Sequence, residues 1–186
     1  MAMTPRADFL PLSQRRYAEQ DRALAIGYGQ TNSQPRTVRD MLLALDVRRG
    51  MRVLDVGAGS GWTTAILAHL VGPEGCLLGV ERVPELTAGA AAAVERTGMA
   101  WARVELADPD HLGAPYSTPF DRVLVSAQGD EVPSALVEQL TDDGVMVLPV
   151  GGRLLRVRRD GSREDLGGYL FVPLVTPYGR PGRSSG

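Results

Sequence analysis

From residue 36 onward the chain alternates between two kinds of run: apolar residues that recur every three or four positions, and short β-branched stretches bounded by glycine or proline. Such alternation is the pattern of a parallel sheet covered by helices on both faces, and it leaves few other folds open. Val38, Met41, Leu42 and Leu45 make one helical stripe, and MRVLDVG (51–57) reads as a buried first strand. Trp62, Ile66, Leu67 and Leu70 predict a helix that Gly72-Pro73 stops, and LLGVE (77–81) is a second strand. The alanine-rich stretch 84–97 has proline in its first turn and Gly98 just after it, the asymmetry that helices prefer. ARVELAD (102–108), FDRVLVSA (120–127) and VMVLPV (145–150) read as further strands, with a short helix at 133–140 and a turn at Asp142-Asp143-Gly144 between the last two. LLRVRR (154–159), Asp160-Gly161 and a run reaching FVPLV (171–175) predict an antiparallel hairpin that finishes the sheet.

Between the first strand and its helix stands Asp55-Val56-Gly57-Ala58-Gly59-Ser60-Gly61. Without Cβ atoms, such a turn lets backbone N–H groups and a helix N-terminus come close to a ligand. Trp62 occupies the position where a dinucleotide fingerprint needs Gly or Ala, and no Gly-Lys-Ser/Thr follows, which argues against NAD and against a nucleotide-phosphate loop. Glu81, at the end of the second strand, is placed to accept from the two hydroxyls of a ribose; its plainer reading is a surface acid before Arg82. A turn for a nucleoside, Glu81 for its ribose and Asp55 near a ligand amino group together suit S-adenosyl-L-methionine, which carries no pyrophosphate. Asp108 reads either as an acceptor for the adenine amino group or as a loop acid capping the next turn.

Composition narrows the partners. A chain of 186 residues with 44% hydrophobic and 23% charged suits one domain with its own core, and a formal charge of -2 supplies no basic field for nucleic acid. MAMTPRADF lacks the apolar core of a signal peptide, and no apolar run nears the roughly 20 residues that span a bilayer, so a cytoplasmic protein without a membrane partner is expected. Cys76 reads as a small buried hydrophobe, and His69 and His111 as structural or surface residues, so no metal site is expected.

The stretch GYGQTNSQP (27–35) precedes the first helix, and in isolation Ser33, Asn32 and Gln34 ahead of Pro35 read as helix-capping residues. Taken in order with MRVLDVGAGSGWTTAILA, GVERVPEL, PFDRVLVSA, VPSALVEQL, GVMVLPVG and FVPL, it makes the chain resemble the protein-L-isoaspartate O-methyltransferase family from about Phe9 to Val175. The resemblance implies an α/β, class I S-adenosylmethionine-dependent methyltransferase (Rossmann-like) fold, a parallel sheet with a C-terminal antiparallel hairpin. It implies methyl transfer to the free carboxylate of L-isoaspartyl residues in damaged proteins or peptides, and a monomer. GQTNSQP then crosses the mouth of the cofactor site, with Ser33 as the catalytic residue. Thr31 and Asn32 line the cofactor together with Asp55, the turn residues Gly57, Ala58, Gly59 and Gly61, then Glu81, Arg82 and Asp108. Arg36 is either a surface charge or a contact for the anionic substrate. Residues 1–35 are expected to form an N-terminal segment and lid, 36–176 the methyltransferase domain, and 177–186 a flexible tail. The chain departs from the family pattern at Asn32, where an apolar residue is usual, at Arg36, where an aromatic or His is usual, and at Ala107-Asp108-Pro109, where Gly-Asp-Gly is usual. Two other readings stay open: a relative acting on a different carboxylate, and an inactive cofactor-binding partner protein.

Overall fold

The computed structural model describes residues 3–174. Near the N-terminus β1 (Leu24–Gly27) and β2 (Gln30–Asn32) form a small hairpin. The main sheet contains β3 (Arg52–Val56), β4 (Cys76–Glu81), β5 (Ala102–Leu106), β6 (Phe120–Val125), β7 (Leu140–Val150), β8 (Arg153–Arg158) and β9 (Arg163–Gly168). The helices are α1 (Pro35–Leu45), α2 (Trp62–Val71), α3 (Pro84–Glu95) and the single turn α4 (Ser134–Val137).

Strand order is β5-β4-β3-β6-β7-β8-β9, parallel from β5 through β7 and antiparallel through β8 and β9. The chain winds outward from β3 to β5 and then returns to lay β6 on the other side of β3. At such a reversal a crevice opens beyond the carboxyl ends of the strands, and the glycine-rich turn after β3 stands there. Successive side chains alternate between the two faces. Val53 and Asp55 point toward α1 and α2, while Leu54 and Val56 enter the opposite core.

Met41 and Leu45 of α1 with Leu67, Ala68 and Val71 of α2 pack one face, and α3 joins through Ala90, Ala93 and Val94 against Trp62, Ala65 and Ile66. The other face is covered mainly by loops, with Leu136 of α4, Leu112 and Leu174 on its core. Helices therefore cover one face fully and the other by a single turn.

Three local expectations are corrected. The helix expected over 133–140 is only Ser134–Val137, because Leu140 already pairs with Phe120 and begins β7. Asp142-Asp143-Gly144 is a bulge inside that strand instead of a turn before it: Phe120 faces Leu140 but Arg122 faces Val145, so two steps on β6 match five on β7. A Cβ on Gly144 would lie 2.7 Å from both the Thr141 carbonyl oxygen and the Leu140 Cβ, so only glycine fits the kink. Finally, Asp160-Gly161 does turn the C-terminal hairpin, but its second strand ends at Gly168 and does not run to 171–175. Val172 and Leu174 instead exchange backbone hydrogen bonds with Gln128. The expected tail 177–186 and Val175 lie outside the described residues.

Helix α1 starts without help from Ser33. Its N-cap is Gln34, whose side chain makes no capping bond. The Asp21 carboxylate does that work from outside, accepting the Arg36 backbone N–H at 2.9 Å and the Gln34 side-chain amide at 3.0 Å. These bonds, the backbone one foremost, hold Asp21 below the usual carboxylate range. The capping reading of Ser33 is thereby overturned.

Candidate active site

Within the segment expected to cross the site mouth, Gln30–Asn32 is a strand. Tyr28 and Gly29 both have positive φ (55° and 71°), the conformation of a tight hairpin turn, and they return the chain so that β2 runs beside β1. Ile26 of β1 packs on the glycine turn, with its Cδ1 3.3 Å from where a Gly59 Cβ would stand. Asn32 of β2 is 5% exposed, and its Nδ2 donates to Ser60 Oγ at 2.9 Å. The hairpin is thus bound to the turn by one apolar contact and one polar contact.

Gly57, Gly59 and Gly61 all adopt positive φ (83°, 55° and 83°), so at these three positions backbone strain alone disfavours other residues. Their uses differ. Gly57, Ala58 and Gly59 line a cavity of about 1060 Å³ including its open mouth. Gly61 does not line it: a Cβ there would meet the Ala90 carbonyl oxygen at 3.1 Å, so this glycine lets α3 pack close.

Glu81 is buried at the cavity wall (8% exposed) and already engaged. Oε1 accepts the N–H groups of Arg82 (2.7 Å) and Val83 (3.0 Å), and Oε2 accepts that of Gly59 (2.9 Å). A carboxylate offers about four lone-pair sites, so one remains for a ligand hydroxyl, and a second hydroxyl must displace or share with Gly59. Three backbone donors aim this carboxylate into the cavity. Arg82, beside it, also lines the cavity.

Asp55 takes a different place. It is 0% exposed, it does not line the cavity, and its Oδ2 accepts the Thr64 hydroxyl at 2.7 Å while Oδ1 has no partner. Burial pushes its carboxyl up from 3.8 to about 7; the Thr64 hydrogen bond opposes this and the nearby Glu81 charge adds to it. Because the folded value lies above the unfolded one, the folded chain keeps a proton that the unfolded chain has released. Stability from this group is complete below 3.8 and is lost as pH rises to about 7. The loss is on the order of 4 kcal/mol at about 1.4 kcal/mol per unit. Asp55→Asn should remove the slope, so the variant's melting midpoint relative to wild type rises by several degrees between about pH 4 and about pH 8. Parallel midpoint curves would mean that Asp55 titrates normally.

Asp108 caps its own turn, as the plainer of its two readings has it, from the cavity wall. It lines the cavity, yet Oδ1 accepts the N–H groups of Asp110 (2.7 Å) and His111 (3.2 Å), which cap its own turn. Those bonds, with His111 Nδ1 at 3.3 Å from Oδ2, hold its carboxyl below the usual range. His111, expected to be structural or surface, is in fact a wall residue of the cavity as well as exposed.

A second cavity of about 680 Å³, open to solvent, adjoins the first. Thr31, Ser33, Ser126 and Val172 line both. The Ser33 hydroxyl makes no hydrogen bond among the described residues, so it is available where the two spaces meet. Arg36 is exposed in the first turn of α1 and lines neither cavity.

Sequence reasoning missed Ser126, the wall segment 172–174 and Arg6. Ser126 and the wall were legible only as ends of strands. Arg6 reads as one more surface arginine, yet it is 5% exposed, it lies 5.4 Å from the Trp62 ring, and burial lowers its pKa. Among the described residues no group of three or more His, Cys, Asp or Glu could hold a metal ion, and no helix is long and apolar enough to cross a membrane.

The sequence matches the model of the family described as Protein-L-isoaspartate(D-aspartate) O-methyltransferase over residues 1–178. Among curated proteins, a protein-L-isoaspartate O-methyltransferase of Methanocella arvoryzae is 40% identical over 188 residues, covering 98% of this chain and 100% of that one. One from Methanothrix thermoacetophila is 42% identical over 184 residues, with 96% and 87% covered. A solved protein-L-isoaspartate O-methyltransferase is 27% identical with a TM-score of 0.80, covering 94% of this chain and 59% of that one. A Plasmodium falciparum protein crystallised with S-adenosyl-L-homocysteine has the same fold, with a TM-score of 0.79 at 21% identity over 94% of this chain and 87% of that one.

Proposed function

The chain belongs to the protein-L-isoaspartate (D-aspartate) O-methyltransferase family, and from that premise we propose that Ser33 holds the acceptor carboxylate where its two cavities meet. The protein is an S-adenosylmethionine-dependent O-methyltransferase acting on the free carboxylate of L-isoaspartyl residues in proteins and peptides. On this reading residues 1–35 are the N-terminal segment and lid, and 36–176 the methyltransferase domain. We infer likewise a monomer working in the cytoplasm without nucleic acid; the formal charge of -2 supports the last of these.

The residues present fit the cofactor. Glu81 has an unclaimed lone-pair site for a ribose hydroxyl, Gly57 to Gly59 present no side chain larger than the Ala58 methyl, and Asp108 and His111 form the wall expected to meet adenine. Bound S-adenosylmethionine supplies an electrophilic methyl group on a sulfonium. Asp55 acts from behind the turn through Thr64, and Gly61 through its packing on α3.

A substrate carboxylate, with an ordinary pKa of about 4, is already ionised at neutral pH, so no residue needs to remove a proton. What the chain must supply is position and dryness. Ser33 donates a hydrogen bond from its hydroxyl to the carboxylate and so limits its rotation, and Ser126 offers a second hydroxyl at the same junction. Ala127, Val172 and Leu174 line the cofactor cavity with apolar surface that discourages water. The position of Ser33 on both cavities is the observation that carries this reading.

The test is transfer of labelled methyl to a matched pair of short peptides, one with L-isoaspartate and one with aspartate. Base-labile label on the isoaspartyl peptide alone is the expected result. Label on neither peptide, with cofactor bound, would overturn the substrate assignment.

A further inference from the structure

Arg6 stands in a single 3₁₀ turn (Arg6–Phe9), far ahead of the glycine-rich turn (Gly57 to Gly61) in the chain, and it lines neither cavity. Its guanidinium nevertheless makes six hydrogen bonds. Nη1 donates to the carbonyl oxygens of Ala18 (3.3 Å) and Gln20 (3.1 Å), and Nη2 to those of Arg22 (2.9 Å), Asn32 (3.1 Å) and Ser33 (2.9 Å). Nε donates to Asn32 Oδ1 at 2.6 Å.

The last bond has a consequence for the site. An amide whose oxygen faces a donor must turn its NH₂ the other way, and Asn32 Nδ2 accordingly reaches Ser60 Oγ in the glycine turn at 2.9 Å. One arginine thus fixes the Asn32 rotamer, the Asn32–Ser60 bridge and the Ser33 carbonyl at once. Burying a cation is costly unless its donors are all matched, and here oxygens of the backbone and one amide match them in place of a carboxylate. Lysine cannot substitute, since it has three donors and no planar fork.

We propose that Arg6 is the positioning residue of this site: through Asn32 it locks the Ser33 end of β2 onto the glycine turn, so that cofactor binding and turnover depend on an arginine that touches neither ligand. The turnover half of this rests on the function proposed above; the binding half does not.

The test compares wild type with Arg6→Lys, Asn32→Leu, Ser60→Ala and the Arg6→Lys/Ser60→Ala pair. S-adenosylhomocysteine affinity is read by calorimetry, kcat and KM on the isoaspartyl peptide, all well below each melting midpoint. Arg6→Lys should lower kcat by about tenfold, change peptide KM by less than about threefold and weaken S-adenosylhomocysteine several-fold. Asn32→Leu should reproduce the loss. In the pair, Ser60→Ala should add almost nothing to the affinity loss, because the bridge it cuts is already broken. Folded variants with lower midpoints but wild-type affinity and kcat, or additive affinity losses, would overturn the proposal and leave Arg6 a stabilising residue only. If Arg6→Lys does not fold, Arg6→Gln takes its place: unchanged affinity sinks the idea, and lowered affinity to which Ser60→Ala adds almost nothing supports it. A wild type that binds S-adenosylhomocysteine without methylating the peptide would refute the assigned substrate, while the affinity comparison would still judge Arg6.

Discussion

Ser33→Ala lowers kcat on an L-isoaspartyl peptide by about a hundredfold while S-adenosylhomocysteine binds within about threefold of wild type. The size follows from what a donor can do in this reaction. Negative charge on the carboxylate falls as it takes up the methyl, so a hydrogen bond to it is stronger before the transition state than in it and cannot accelerate the step by charge stabilisation. Its contribution is to hold one oxygen in line, and a misplacement of about 1 Å can cost on the order of a hundredfold. Stability should change little, since the Ser33 hydroxyl has no hydrogen bond among the described residues and α1 is capped by Asp21. Steady-state kinetics with calorimetry on the same preparation checks both halves. Equal losses in turnover and in cofactor affinity would place Ser33 in the cofactor wall and not at the acceptor.

Glu81→Gln weakens S-adenosylhomocysteine by about a hundredfold and lowers stability by about 1 to 3 kcal/mol. The carboxylate accepts three backbone N–H groups, from Gly59, Arg82 and Val83, and both its oxygens are needed for them. An amide has one oxygen and one NH₂, so in either orientation a donor meets a donor. If the amide turns its NH₂ to Gly59, the glycine turn loses its tie to β4; if it turns it to Val83, the start of α3 loses its own. The ribose meanwhile exchanges a charged acceptor for a neutral one. Wild-type affinity in a folded Glu81→Gln protein would mean that the ligand hydroxyls lie elsewhere.

How far these residues could be read in advance depends on how local their signal is. Strand β3, the turn after it and Glu81 at the end of β4 follow each other within 30 positions, and each announces itself by alternation, by glycine spacing or by a charge at a strand end. The same signals misled at 133–144, where Asp-Asp-Gly is turn-like in composition but Leu140 finds a partner in Phe120 across the sheet. Pairing with a distant strand outweighed the local preference. Asp55 was legible as an acid of the turn but not as a residue that misses the ligand: alternation along β3 puts it with Val53 under α2, against Thr64, while its neighbour Val56 lines the cavity. The segment 29–35 was legible through its resemblance to a family segment, and the pairing of Gln30–Asn32 as a hairpin with Leu24–Gly27 was not, because β1 is four residues long and β2 three.

The sequence by itself determined the succession of helices and strands from β3 onward, the glycine turn after β3 and the acid Glu81 at the end of β4, because each is written in a periodicity or a spacing within one stretch of chain. Only the tertiary structure decided that the chain reverses between β3 and β6, that Ser33 stands on two cavities at once, that 172–174 walls one of them, and that Arg6 holds Ala18, Gln20, Arg22, Asn32 and Ser33 together. These depend on which backbone carbonyls converge after the chain has closed on itself. A lone arginine has the same local pattern whether water or six oxygens receive its protons, so the distinction arises only when the loops that supply those oxygens have been brought into place.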